Sequence, residues 1–262
     1  MSTYALRDSS TMLRRNLRRM RRYPSMVFFM AGLPIVFLLL FVYVFGGTLG
    51  AGLGDAAGGR AEYLQYVVPG ILLMCVASGS INTAVSVTMD MTEGIIARFR
   101  TMAISRTSVL TGHVIGSMIQ TMMCLVLVLA VAVAIGYRPD TGPLQWLAAL
   151  GLMALLNFAL TWLSVAFGLI SKGVETASNL PQPFVLLPFL GSGFVPTDSM
   201  PAGLRQFAEY QPFTPIIETL RGLLNGNVHQ SDAIVSVAWC LAIALAGYLW
   251  AKKLYNREPR TA

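Results

Sequence analysis

Ser78, Asn82 and Ser86 recur at i, i+4 and i+8, with Ser80 and Thr83 beside them, in a stretch that is otherwise apolar from Tyr63 to Met89. At helical spacing they form one polar stripe. Such a stripe either hydrogen-bonds to a neighbouring helix or lines a cavity through which an amphipathic compound passes. His113 and His229 each stand alone, match no H-E-x-x-H or related ligand spacing, and read as surface residues at the edges of apolar runs. Cys75, Cys124 and Cys240 lie singly inside apolar segments, and an odd count without C-x-x-C spacing supports neither a disulfide framework nor a metal site. Asp90 with Glu93 is the nearest approach to a paired-carboxylate set, and no Ser-His-Asp arrangement is assembled. A membrane-embedded enzyme acting on lipid or isoprenoid substrates therefore has little chemistry to draw on. No G-x-x-x-x-G-K-[ST] loop is present, so the chain is expected to bind no ATP of its own and to carry no metal or cofactor.

The elements that must position these residues are set by composition. Of 262 residues 55% are hydrophobic and 12% charged, whereas an average soluble domain carries about 25% charged residues. The remaining solvated surface is too small for a soluble fold of this size, and the chain reads as an all-α integral membrane protein. Apolar runs fall at approximately 26–46, 63–89, 110–136, 144–170, 180–195 and 232–251, which predicts six transmembrane helices. The fifth is interrupted by Pro181, Pro183 and Pro188, tolerable in a membrane helix when neighbours satisfy the freed backbone groups. With six spans, 15 of the 19 Lys and Arg fall on one side, so both termini are expected in the cytoplasm. The first apolar run is too long for the core of a signal peptide. No intramembrane carboxylate or lysine suggests coupling to protons or sodium, so energy must come from outside the chain.

Outside the spans, residues 1–25 read as an amphipathic helix. Leu13, Leu17 and Met20 form its apolar stripe, and Arg14, Arg15, Arg18, Arg19, Arg21 and Arg22 fill the other sides. These arginines suit the anionic headgroup layer, as an elbow helix or simply as a topology signal, and no nucleic-acid partner is expected. The loop after span two opens with Asp90 and Glu93-Gly94 and continues through Arg98, Phe99 and Arg100 to Arg106, with Ile95, Ile96, Met102 and Ile104 interspersed. Apolar residues flanked by charge suit either a docking surface or a helix lying on the membrane. Gly112 and Gly116, spaced G-x-x-x-G, permit close helix packing within the chain. Residues 196–230, placed on the outer side, suggest two short helices starting near Pro201 and Pro215. Each has an apolar face, Leu204 with Phe207 and Ile216 with Leu220 and Leu223. Glu218 and Arg221 are spaced to pair.

Four segments carry a resemblance to a known family. They are Tyr66-Val-Val-Pro69-Gly70-Ile71; Glu93-Gly94 with Arg98-Phe99-Arg100 and Ser105-Arg106; Asn179-Leu-Pro181; and the run Phe194-Val-Pro196, Met200-Pro201, Leu204-Arg205, Pro212-Phe-Thr214-Pro215 and Arg221-Gly222-Leu223-Leu224. On these the chain resembles the ABC-2 type permeases, and among them the daunorubicin-resistance type of drug exporter subunit. The resemblance spans essentially the whole chain as one transmembrane domain, 1–262, in a bacterial cell membrane. It implies that two six-span permeases, two copies of this chain or two related ones, pair and bind two cytoplasmic ATPase subunits that hold ATP and Mg. Glu93, Gly94, Arg98, Phe99, Arg100 and Arg106 would belong to the coupling helix that fits a groove on the ATPase. Residues 1–25 would be the connecting helix, and the hairpin with Pro201, Arg205, Pro215, Glu218 and Arg221 would be the outer re-entrant helices. The substrate path would run between subunits along the first, second and fifth spans, past Ser78, Asn82 and Ser86. The cargo implied is drug-like or lipid-like, with a lipid or polysaccharide as the neighbouring alternative.

Overall fold

The computed structural model describes residues 25–50, 59–93, 106–139 and 141–255. Among these residues all regular structure is helical. In chain order, α1 (Ser25–Leu39) passes through a π-helical stretch, Leu40–Phe45, into α2 (Gly46–Gly50). Then come α3 (Arg60–Thr92), α4 (Arg106–Ala134), α5 (Pro143–Ile170), α6 (Val174–Asn179) and α7 (Gln182–Leu186). A 3₁₀ turn, Thr197–Ser199, leads to α8 (Ala202–Tyr210), α9 (Phe213–Asn225) and α10 (Gln230–Tyr255). Five helical stretches are long and apolar enough to cross a bilayer: Val27–Gly50, α3, Leu110–Ala134 within α4, α5 and α10.

Local chemistry explains the ends. Pro143 supplies a first turn whose missing N–H costs nothing, and the Gln145 side chain accepts the Gly142 N–H at 2.9 Å. Gly226 ends α9 with φ of 81°, a conformation a side chain would strain, and the Asn227 N–H then reaches back to the Gly222 carbonyl at 2.9 Å. Pro201 immediately precedes α8, as its spacing suggests. α9, however, begins two residues before Pro215, at Phe213, because Pro212 already supplies the turn into the helix.

The fold is organised around α3. Within the chain 78% of its apolar stretch is buried, against 22% for α10. α3 packs against α1, α4, α5 and α9, while Phe28 and Val36 on α1 and Leu241, Leu245 and Leu249 on α10 point outward, as lipid-facing side chains do. Close approach depends on small residues. A Cβ on Gly168 of α5 would lie 2.7 Å from the Ala84 carbonyl oxygen, and one on Gly247 of α10 would lie 2.6 Å from the Leu163 nitrogen. Gly112 and Gly116 are both buried inside the chain, in line with packing within the subunit.

The segment 180–195 departs from the continuous span its apolarity suggests. It consists of α7 followed by irregular turns as far as Val195, because Pro181, Pro183 and Pro188 each remove a helix-propagating N–H. This broken segment still runs beside α3, in the opposite direction. Gln182 and Val185 line one groove with Ser78 and Asn82, Gly193 backs onto Gly70, and the Phe194 carbonyl accepts the Tyr63 hydroxyl at 3.2 Å. Phe189 and Phe194 stack on each other with centroids 4.2 Å apart and lean on Phe37 and Phe41 of the first helical stretch.

Candidate functional site

The polar stripe on α3 divides between the two roles open to it. Ser80 and Thr83 are buried and return their hydroxyls to their own helix, to the Ala77 and Gly79 carbonyls. Ser78, Asn82 and Ser86 are half-buried on the face nearest α1 and α7. Ser78 and Asn82 line a cavity of 370 Å³ with Phe29, Met30, Leu33, Ile81, Gln182 and Val185; Ser86, one turn further along, does not. The Ser78 hydroxyl donates to the Met74 carbonyl at 2.8 Å. The carboxamides of Asn82 and Gln182 make no hydrogen bond among the described residues and are available to a guest. Apolar walls with a few convergent polar groups are the usual make-up of a small-molecule site. Gln182 escaped the sequence reading, although a lone carboxamide in an apolar, proline-rich segment is the kind of signal that marks one.

At the other end of α3, one expectation is corrected. His113 is not a surface residue: it is 5% exposed, and its Nε2 lies 2.9 Å from Oδ2 of Asp90, also buried. The two side chains face each other without an aligned hydrogen bond. They join the last turn of α3 to the second turn of α4, the two helices that bracket the loop assigned to coupling. Nearby, the Thr88 hydroxyl bridges the Ala84 carbonyl at 3.0 Å and the Gly168 carbonyl at 2.9 Å. Glu93 ends α3 and is exposed, and Arg106 opens α4. Gly94, Arg98, Phe99 and Arg100 lie outside the described residues, as do the arginines of 1–24. His229 is exposed, as expected.

All three cysteines are free and buried in helices, as expected. Cys75 of α3 and Cys124 of α4 are not isolated: their sulfurs lie 2.9 Å apart in the core, both as free thiols. Their separation of 49 positions hides this from any spacing rule. Cys240 is buried alone on α10.

The two helices expected to form the hairpin, α8 and α9, are unlike. α8 is exposed: Leu204 and Phe207 are uncovered, and Arg205 pairs with Asp198 at 2.7 Å and Glu209 at 2.6 Å. The hydrogen bond to Glu209, then the charge of Asp198, holds the guanidinium above its ordinary value. α9 instead sinks into the core, with Ile216 and Leu220 buried. The expected pair forms, Arg221 Nη1 to Glu218 Oε1 at 2.7 Å. Arg221 does more than pair. Its Nη2 donates to the Ser192 carbonyl at 2.6 Å and the Tyr66 carbonyl at 3.2 Å, and its guanidinium carbon lies 3.8 Å from the centre of the Tyr66 ring. Tyr137, in the turn after α4, is wholly buried; burial pushes its phenol well up, and the Arg221 charge pulls the other way. No cluster of three or more metal-ligating side chains occurs among the described residues.

Relatives share this layout of sequence. Over 243 residues the chain is 26% identical to the daunorubicin resistance ABC transporter permease protein DrrB1 of Streptomyces coeruleorubidus, covering 92% of this chain and 82% of that protein. Over 213 residues it is 23% identical to the probable doxorubicin resistance ABC transporter permease protein DrrC of Mycobacterium tuberculosis, covering 81% and 75%. Residues 8–225 match the ABC-2 type transporter family. That match takes in the first span, the polar stripe of α3, the broken segment and the Arg221 junction, and with it the chain belongs to the ABC-2 type transporters, as a homologue of their daunorubicin- and doxorubicin-resistance permeases.

Proposed function

We propose that the chain is the membrane-spanning permease subunit of an ATP-driven exporter of hydrophobic or amphipathic compounds. A separate cytoplasmic ATPase, two copies holding ATP and Mg, supplies the energy, and a second permease, identical or related, completes the path. The observation that carries this reading is the groove between α1, α3 and α7. Its apolar walls and free carboxamides suit an amphiphile with a planar or flexible apolar body and a few hydrogen-bonding groups, the class to which daunorubicin belongs. A polysaccharide would need a far more polar wall than Phe29, Leu33 and Val185 provide. The enzyme alternative would have to use Asp90 and Glu93, of which Asp90 is buried and Glu93 exposed at the end of α3.

Six crossings follow from the same reading. From Thr88, bonded to Gly168, to Tyr63, bonded to Phe194, α3 climbs roughly 37 Å at 1.5 Å per residue, more than a hydrocarbon core. The chain between 168 and 194 covers that climb in the reverse sense, so the broken segment serves as a crossing between α5 and α10. Both termini are then cytoplasmic and the α8–α9 hairpin is outside. A cysteine at position 229 should react with impermeant thiol reagents from outside intact cells, and one in the tail after Tyr255 should not.

Coupling is assigned to the loop from Glu93 to Arg106, through Gly94, Arg98, Phe99 and Arg100. The test is reconstitution with a candidate ATPase partner. Inverted vesicles should take up daunorubicin only with ATP, and a fluorescent phospholipid poorly. Phe99→Ala or Glu93→Lys should leave insertion intact and abolish uptake, through loss of an aromatic anchor and a reversed charge at an interface. Normal uptake in both variants, with ATPase binding lost on mutation of the N-terminal arginines, would move coupling to the N-terminal helix.

A further inference from the structure

The broken segment has a difficulty that continuous helices do not. Residues 187–195 form turns, so several of their carbonyls lack the helical N–H partner that buried backbone requires. The Ser192 carbonyl is one: it takes no main-chain hydrogen bond, and its partner is Nη2 of Arg221. Ser192 sits between Phe189 and Phe194, whose stacked rings fill the space between the outer turn of α3 and the first helical stretch. Along the segment this aromatic stack lies between the groove at Val185 and the outer end at Phe194. Arg221 on α9 is thus one of the few side-chain donors that hold this segment, with Tyr63 on the Phe194 carbonyl and Gln211 on the Leu187 carbonyl.

We propose that Arg221 is a positioning residue that latches the outer end of the translocation path shut. It does so by pinning the Ser192 carbonyl against the outer turn of α3, and substrate leaves when that bond is released. The proposal rests on the exporter reading and on the path along α1, α3 and α7. Three features separate a latch from a packing contact. The bonds made by Nη2 go to main-chain oxygens of two different elements, Ser192 in the broken segment and Tyr66 in α3, so one side chain spans the seam that must part. Glu218, one turn back on α9, keeps the guanidinium neutralised when the carbonyls let go, so opening strands no lone charge. The junction is also short of hydrogen bonds: Nε of Arg221 and the hydroxyls of Ser192 and Tyr137 are buried without partners. A seam with unmet polar groups gains water contacts when it opens, which offsets part of the loss of the closed state.

The experiment uses Ser192→Cys in a chain whose Cys75, Cys124 and Cys240 are replaced by alanine, reconstituted with its ATPase. Ser192 is buried, so in the closed state the new thiol should react slowly with a charged, water-soluble methanethiosulfonate. Adding Arg221→Gln should raise the labelling rate by roughly ten- to a hundred-fold, the population shift expected from losing charge-assisted hydrogen bonds. Arg221→Lys keeps the charge but cannot reach both carbonyls from one planar fork, and should fall between. ATPase activity should persist in both while uptake per ATP drops. Unchanged labelling in a folded Arg221→Gln protein overturns the latch. If that variant does not insert, the same thiol is followed with Arg221 intact: ATP turnover should speed its labelling, and a rate indifferent to ATP overturns the latch equally. Absence of ATP-driven uptake by the Ser192→Cys parent would count against the exporter reading alone, since the response to Arg221→Gln is read without transport.

Discussion

The two ends of α3 are joined to their neighbours by different means. At the Thr88 end, the inner one on the proposed topology, continuous helices meet: the Thr88 hydroxyl bonds the Gly168 carbonyl, Gly168 lets α5 come against Ala84 and Val87, and Asp90 faces His113. At the Tyr63 end, the outer one on that topology, α3 meets a segment that is not a helix, held by the Tyr63 hydroxyl on the Phe194 carbonyl, by Gly70 against Gly193, and by Arg221. Helix-on-helix packing with satisfied backbones transmits a push as a rigid body. A turn held through a few side-chain donors can let go locally without unravelling a helix. An exporter driven from the cytoplasm needs the first property beside its ATPase and the second where cargo leaves.

Overfilling the close approaches tests this contrast most severely. Gly168→Leu places a side chain between two continuous helices, with backbone 2.7 Å from its Cβ, and should cost about 3 kcal/mol or more, enough to remove folded protein from membranes. Gly70→Leu meets equally near atoms of Gly193, but those belong to a turn that can shift. It should insert, with a smaller loss in thermal midpoint and with export impaired. Gly32→Ala, with nothing near its Cβ, serves as the control and should be neutral. If Gly70→Leu proves as destructive as Gly168→Leu, the outer end is as rigid as the inner.

The contact between Asp90 and His113 comes next in size. Asp90→Ala leaves His113 buried without its carboxylate and should destabilise by about 3 kcal/mol, whereas Asp90→Leu with His113→Leu should recover most of that loss. Thermal unfolding of the four corners of a double-mutant cycle checks it. The recovered double variant should still insert and bind ATPase, but transmit the push less well if the pair also aligns α3 with α4. Additive losses would show that the two side chains do not work as a unit.

The division between what was and was not legible follows the range of each interaction. The five long helices were legible because twenty apolar residues must be satisfied within one segment in lipid, and their bounds match the apolar runs to a few residues. The Glu218–Arg221 pair was legible because it is three residues apart on one helix. The rest of the Arg221 junction was not: Ser192 is 29 positions away and Tyr66 is 155, and both are met through main-chain oxygens that every residue carries. His113 looked exposed because nothing local pairs with it; it faces Asp90, 23 positions earlier. In segment 180–195 apolarity suggested a span, but three prolines decided against a continuous helix.

The smallest effect is the most discriminating. Thr88→Val and Tyr63→Phe each delete one hydroxyl that bonds a carbonyl of a neighbouring element, at 2.9 Å to Gly168 and 3.2 Å to Phe194. Each should cost about 0.6 kcal/mol, the usual worth of an interhelical hydrogen bond in a membrane. Thermal midpoints should therefore fall alike, by little. Their consequences for transport should differ, because α5 stays packed on α3 through Gly168 when the Thr88 hydroxyl is gone, whereas the Tyr63 bond is one of the few that hold the outer turn. Tyr63→Phe should loosen the Phe194 end of the aromatic stack, raise the labelling of a Ser192→Cys thiol a few-fold, and lower the substrate moved per ATP. Thr88→Val should leave both unchanged. Equal stability loss with equal loss of coupling would mean that the two ends of α3 carry the same mechanical role, and the contrast drawn between them would have to be given up.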